Sequence, residues 1–211
     1  MGKLLAARHR ESATPDPARS LVNYAESARA GDWTMRSALV RLAQPEPMRA
    51  SATVELIRRL DTALHPVARS LERHTTICDR QLSPEALSRH DDEWVLTEPA
   101  EPVPDGRVVD LARLSRLDPG FAALVAASYT DVEELSDDEQ AALPLLAVAA
   151  RLDELADVLT AWASRGFRDP PVDAVDGTGR EVFEALESLG VPRESRRPTR
   201  RRGSGASTAQ A

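Results

Sequence analysis

The chain has 211 residues, a net charge of −7 and only 4% aromatic residues. That length suits one domain with a sizeable core or two small ones, and a core short of aromatics must be built from Leu, Ala and Val, which favours helices. The acidic body is not an obvious nucleic-acid binder, Lys3, the only lysine, leaves no other candidate for lysine chemistry, and Cys78, the only cysteine, excludes an intrachain disulfide.

One cysteine also argues against a Cys-based zinc site; no metal is expected, and no cofactor unless the chain turns over Mg-ATP. The opening "MGKLLAARHRES" is too short and too charged for a signal peptide. The longest apolar stretch, "AALPLLAVAARL", is too short to span a bilayer. The expectation is a soluble cytoplasmic protein with no membrane partner.

Residues 1–15 read as a basic, frayed N-terminal segment. A single helical domain is expected over 16–190. In "DPARSLVNYAESARA", Asp16 is placed to cap a helix with Pro17 at its first position, and Gly31 to stop it. "DWTMRSALVRLAQ" reads as a second helix, ended by Pro45 and Pro47. From Met48 a stripe of Ala52, Leu56, Leu60, Ala63 and Leu64 marks a long helix, continued by Val67 and Leu71 after a kink or break at Pro66.

The stretch from His74 to Pro99 breaks that run. Ser83 and Pro84 predict a short helix over "SPEALSRH", and "EWVLTEP" reads as the one strand. "EPAEPVPDG" reads as a surface loop. The segments "RVVDLARLSRL" and "DPGFAALVAASY" read as short helices.

A long helix over 137–165 follows, opened by a Ser136/Glu139 capping box, interrupted or kinked at Pro144 and closed by Gly166. "TGREVFEALESLG" predicts a last helix with Thr178 as cap and Gly190 as stop. Residues 191–211 read as a disordered tail. Arg196, Arg197, Arg200, Arg201 and Arg202 give it a charge that suits phosphates or an acidic partner. The fold expected is mainly α, with at most one small β-hairpin.

The segments Asp110-Leu111-Ala112, Ser128-Tyr129, Leu135-Ser136 with Glu139, and Leu143-Pro144-Leu145-Leu146 resemble parts of the helical lobe of the aminoglycoside phosphotransferase superfamily, the kinase-like fold shared with choline and homoserine kinases. The resemblance covers roughly residues 50–165. The family's His-Gly-Asp motif is similar to Ile77-Cys78-Asp79, and its Leu-His-Pro-Gly-Asn motif to Leu82-Ser83-Pro84-Glu85-Ala86-Leu87. Its acid-ended strand is similar to Trp94-Val95-Leu96-Thr97-Glu98.

The resemblance implies that Asp79 is the remnant of a catalytic base, with Glu85 and Glu98 as remnants of the Mg-nucleotide ligands. The departures are large. Ile77 replaces the family's His, no Asn follows the Pro, and Thr97 or Glu98 stands for the metal-binding Asp. Phosphoryl transfer is mostly positioning and neutralisation of phosphate charge. Neither the small-lobe lysine nor a phosphate-covering loop has a counterpart, since residues 1–73 read helical.

The expectation is therefore a non-catalytic, degenerate phosphotransferase-like protein that binds or regulates another protein. Two alternatives follow from the same residues. One is a small-molecule phosphotransferase completed by a second chain, with Mg-ATP as cofactor. The other is a helical protein that associates with nucleic acid through its Arg-rich tail alone.

The histidines and tryptophans have plainer readings. His74 and Cys78 are four apart, which suits a two-ligand site only on a helix. The β-branched residues between them oppose that helix, and Cys78 reads as a buried thiol. "HDDE" from His90 to Glu93 reads as a solvated charged turn, and Trp33, Trp94 and Trp162 as core or groove anchors.

Overall fold

A computed structural model describes residues 1–13, 35–71, 74–79, 82, 84–91, 93–98, 102–117 and 119–193. Among the described residues the order is α1 (Gly2–Glu11), α2 (Met35–Leu42), α3 (Pro47–Leu71), β1 (Thr75–Asp79), a single 3-10 turn (Pro84–Ala86), β2 (Leu87–His90), β3 (Glu93–Leu96), β4 (Pro102–Gly106), α4 (Val108–Leu117), α5 (Pro119–Thr130), α6 (Asp137–Ser164) and α7 (Val172–Ser188). The mainly helical expectation holds. The helix expected from Asp16 to Gly31, Trp33, and the tail from residue 194 lie outside the described residues.

Helix α6 is the spine. Leu146, Ala149, Leu152, Leu155, Leu159 and Trp162 recur at helical spacing and are all buried. The helix packs on α2, α3, α4 and α7. Its start is the capping box read from the sequence: Ser136 Oγ accepts the Glu139 N–H at 3.3 Å, and Glu139 Oε2 accepts the Ser136 N–H at 2.8 Å. Gly166, with φ +72°, lies just past its end. Trp162 stacks edge to face on Phe167 with ring centroids 5.0 Å apart.

Pro66 and Pro144 do not divide their helices; both sit inside continuous ones. Each proline removes one backbone donor, and the surrounding turns carry the helix past it because an apolar stripe on either side is already buried.

Among the described residues, two two-stranded antiparallel sheets replace the single hairpin expected. β1 pairs with β4 from Thr75↔Gly106 to Asp79↔Pro102, and β2 pairs with β3 from Leu87↔Leu96 to His90↔Glu93. Thr75, Thr76 and Ile77 suit a strand, and the segment read as a Pro-rich surface loop supplies its partner. A two-stranded ladder has an open side on each strand, where proline is tolerated.

The short helix expected from Ser83 also gives way. After the turn at Pro84–Ala86 the chain runs extended, and Thr97 closes the base of the β2–β3 hairpin. Its N–H and its hydroxyl both donate to Ala86 O, at 2.8 and 3.1 Å. Helix α7 starts at Val172, so Thr178 is inside it and does not cap it.

The basic start is not frayed. Leu5, Ala6 and His9 are buried. Helix α1 packs on α5, β1 and β3. The approach to α5 is so close that a Cβ on Gly2 would stand 2.2 Å from Val125 O and 2.7 Å from Tyr129 N. Among the described residues, no helix is long and apolar enough to cross a membrane.

Candidate functional site

A buried polar layer forms where α1, β1, β4, α4 and α5 meet. Asp110, in the first turn of α4, is fully buried and uses both carboxylate oxygens. Oδ1 accepts the backbone N–H of Asp79 at 3.0 Å, and Oδ2 lies 3.1 Å from His9 Nε2. Arg8 Nη2 approaches the same Oδ2 at 3.5 Å. The helix N-terminus favours a carboxylate there.

His9 is held on both ring nitrogens, since Nδ1 lies 3.0 Å from Tyr129 Oη. An ionised Asp110 places the ring proton on Nε2 and leaves Nδ1 to accept from the tyrosine hydroxyl. Arg113, one turn past Asp110, donates to the Asp79 carbonyl at 3.1 Å and stands 3.8 Å from Asp110 Oδ1. α1 is bonded to β1 besides: the Thr76 hydroxyl donates to His9 O at 2.9 Å, and Ser12 Oγ lies 2.8 Å from Thr76 Oγ1.

Cys78 is fully buried, and its thiol donates to Gly106 O at 3.4 Å. Burial, with the charges of Asp110 and Asp105, pushes the thiol well above its ordinary range. Asp105 is also fully buried. Its Oδ1 accepts the Gly106 N–H at 2.8 Å, while Oδ2 has no hydrogen-bond partner among the described residues. Burial raises its carboxyl to about 7, against the pull of the Gly106 N–H and of Arg113. Burial also pushes the Tyr129 phenol up.

A second charged group adjoins this layer. Arg107, between β4 and α4, forks onto Glu139 at 2.7 and 2.8 Å and donates to Glu134 O at 2.7 Å. Burial pushes Glu139 up, but the bonds from Arg107 and Ser136 outweigh it and hold the carboxyl below its ordinary value. The loop before α6 is thereby tied to the start of α4.

The structure separates the three acids singled out in the sequence. Asp79 ends β1 and is only 3% exposed. Glu85, in the 3-10 turn, and Glu98, past β3, are both exposed. Lys3 is exposed on α1 and faces Asp131 at 3.8 Å. His74 is exposed while Cys78 is buried. His90 and Asp91 face each other at 3.5 Å in an open turn. Trp162 anchors the core, but Trp94 is 57% exposed on β3. Arg196, Arg197, Arg200, Arg201 and Arg202 lie outside the described residues.

Sequence reasoning missed His9, Asp105 and Arg113. The signal for His9 was present, because Leu5, Ala6 and His9 share one helical face. For Asp105 there was none, since its burial depends on β4 pairing with β1.

Apart from this layer, α4, α5, α6 and α7 enclose an open cleft of about 1030 Å3. Its walls are mostly apolar, with Leu111, Ala126, Leu143, Ala147, Val182 and Ala185 among them. The Arg151 and Glu181 pair, at 3.6 Å, lies on its lining. No protein-family model matches the chain, and no curated protein matches it.

Proposed function

We propose that this chain is a non-catalytic phosphotransferase-like protein that binds or regulates another protein. One observation carries the reading. Two of the segments that hold the resemblance, around Asp79 and around Asp110, meet in a buried charge-assisted hydrogen bond of 3.0 Å, with Arg113 on the adjoining carbonyl. That joint fixes the backbone at the end of β1. A fixed backbone there is what a transfer site needs, and it is useful to a scaffold as well.

The side chains around the joint support a scaffold over a catalyst. Asp79 is buried, Glu85 and Glu98 are on the surface, and Lys3 faces Asp131 on the outside of α1. Transfer of a phosphoryl group requires these charges gathered on one nucleotide. The large concavity is apolar and is lined by none of them. Such walls suit an apolar segment of a partner protein.

Isothermal calorimetry and a turnover assay with Mg-ATP test the reading. The expected result is no saturable binding up to millimolar nucleotide and no turnover. Mg-dependent binding with turnover that Asp79→Asn abolishes would overturn it. A partner that copurifies with the chain should be lost on Ala147→Arg, in the cleft, and kept on Trp94→Ala, outside it.

A further inference from the structure

We propose that His9, Cys78 and Asp110 form a binding site for a zinc-class divalent ion. A ring nitrogen, a sulfur and a carboxylate oxygen, one from each residue, lie within 4.8 Å of one another, and all three residues are buried. They arrive on α1, β1 and α4, with His9 and Asp110 101 residues apart. Neither a lone cysteine nor a cluster of acids has this composition. Nitrogen, sulfur and oxygen together form the mixed set that a borderline ion accepts, while hard calcium and magnesium take oxygen.

Three donors at this spacing suit a four-coordinate zinc whose fourth ligand is a water. Zinc bond lengths put neighbouring donors about 3.3 to 3.5 Å apart. His9 Nε2 and Asp110 Oδ2 stand at 3.1 Å already. The widest separation in the triangle closes by about an ångström on binding. Supporting contacts are in place: Tyr129 holds His9 Nδ1 at 3.0 Å, and the Asp79 N–H holds the other oxygen of Asp110 at 3.0 Å. Ligating side chains are oriented by such outer contacts.

Charge balance also fits a divalent cation. Asp110, fully buried, faces the guanidiniums of Arg8 and Arg113. Those guanidiniums oppose a cation, but they approach Asp110 at 3.5 and 3.8 Å, longer than strong charge-assisted bonds. The Asp105 Oδ2, buried and without a hydrogen-bond partner among the described residues, belongs to the same layer. A divalent ion, the Cys78 thiolate and the Asp110 carboxylate together carry no net charge.

Binding has a defined proton balance. The Cys78 thiol proton leaves to solvent, and the thiolate takes the metal. The imidazole keeps one proton, now on Nδ1, where it donates to Tyr129 Oη, and frees Nε2 for the ion. With all three residues buried, the site staples α1 to β1 and α4 and has no part in turnover. It stands independently of the partner-binding reading, because zinc is scored here and nucleotide there.

The test uses the full chain, stripped with a chelator and titrated with Co2+. The expected result is one equivalent bound, with a thiolate-to-cobalt charge-transfer band and the intense visible bands of a four-coordinate ion. Cys78→Ser should remove the charge-transfer band. His9→Gln and Asp110→Asn should each weaken binding about tenfold or more. X-ray absorption on the zinc-loaded wild type needs no variant, so a misfolded mutant cannot mask the answer. It should show one sulfur at about 2.3 Å among nitrogen and oxygen at about 2.0 to 2.1 Å. No retained ion, or an ion without a sulfur neighbour, would overturn the proposal.

Discussion

Asp110 illustrates how one side chain joins three segments. Its oxygens reach the Asp79 N–H and His9, and Arg8 and Arg113 stand close by. Asp110→Asn removes the charge that faces two guanidiniums and turns one of its two acceptor oxygens into a donor in a buried layer. In metal-free protein Asp110→Asn should therefore cost about 3 to 5 kcal/mol, as breaking a buried pair does. Urea unfolding measures it, and Lys3→Ala is the control. The Lys3 pair with Asp131 is exposed and at 3.8 Å, so its loss should cost about 0 to 1 kcal/mol.

Asp105 gives a pH dependence of definite sign. Burial raises its carboxyl from 3.8 to about 7 in the fold. Arg113 and Asp110 of α4 and Asp153 of α6 act on it, beside the Gly106 N–H. Between those two values the folded protein holds a proton that the unfolded chain has released. Stability therefore falls as pH rises from about 4 to about 7 and levels off above, with a slope of up to about 1.4 kcal/mol per pH unit. Melting curves of chelated protein should show the decline, and Asp105→Asn should flatten it. Glu139 acts in a different window: held low in the fold, it supplies stability that is lost only as pH falls below the ordinary carboxylate range.

Among the elements, α1 and α7 carry opposite demands on glycine. Gly2 meets Val125 O at 2.2 Å for an added Cβ, so Gly2→Ala must push α1 off α5. The expected cost is about 1 to 3 kcal/mol, the usual range for overpacking. Gly177, inside α7, meets nothing within 4 Å. Gly177→Ala should stabilise by about 0.5 to 1 kcal/mol, because alanine loses less conformational freedom in a helix. Thermal unfolding of the two variants checks both signs. Ser136→Ala should cost about 1 kcal/mol in the same assay, since it removes one half of the α6 capping box.

At the scale of the whole molecule, α6 organises the core, and Leu155 at its centre is 1% exposed. Leu155→Ala should cost about 2 to 5 kcal/mol, with the cavity adding to the lost transfer energy. Circular dichroism during urea unfolding reads that cost. What the sequence by itself determined is the helical framework. Apolar spacing placed α3, α4, α5 and α6, and a Ser-x-x-Glu motif placed the start of α6, because these depend on residues within a few turns of one another.

Tertiary structure alone decided the rest. A strand of Pro-Val-Pro-Asp-Gly acquires its identity only from the partner across the ladder, so β4 looked like a loop until β1 lay beside it. The start at Val172 depended on packing against α3 and α6, which a cap-like Thr178 did not reveal. The buried layer is the clearest case. His9, Cys78 and Asp110 come from segments that looked frayed, loop-like and helical in turn, and their meeting is a long-range event that no local pattern encodes.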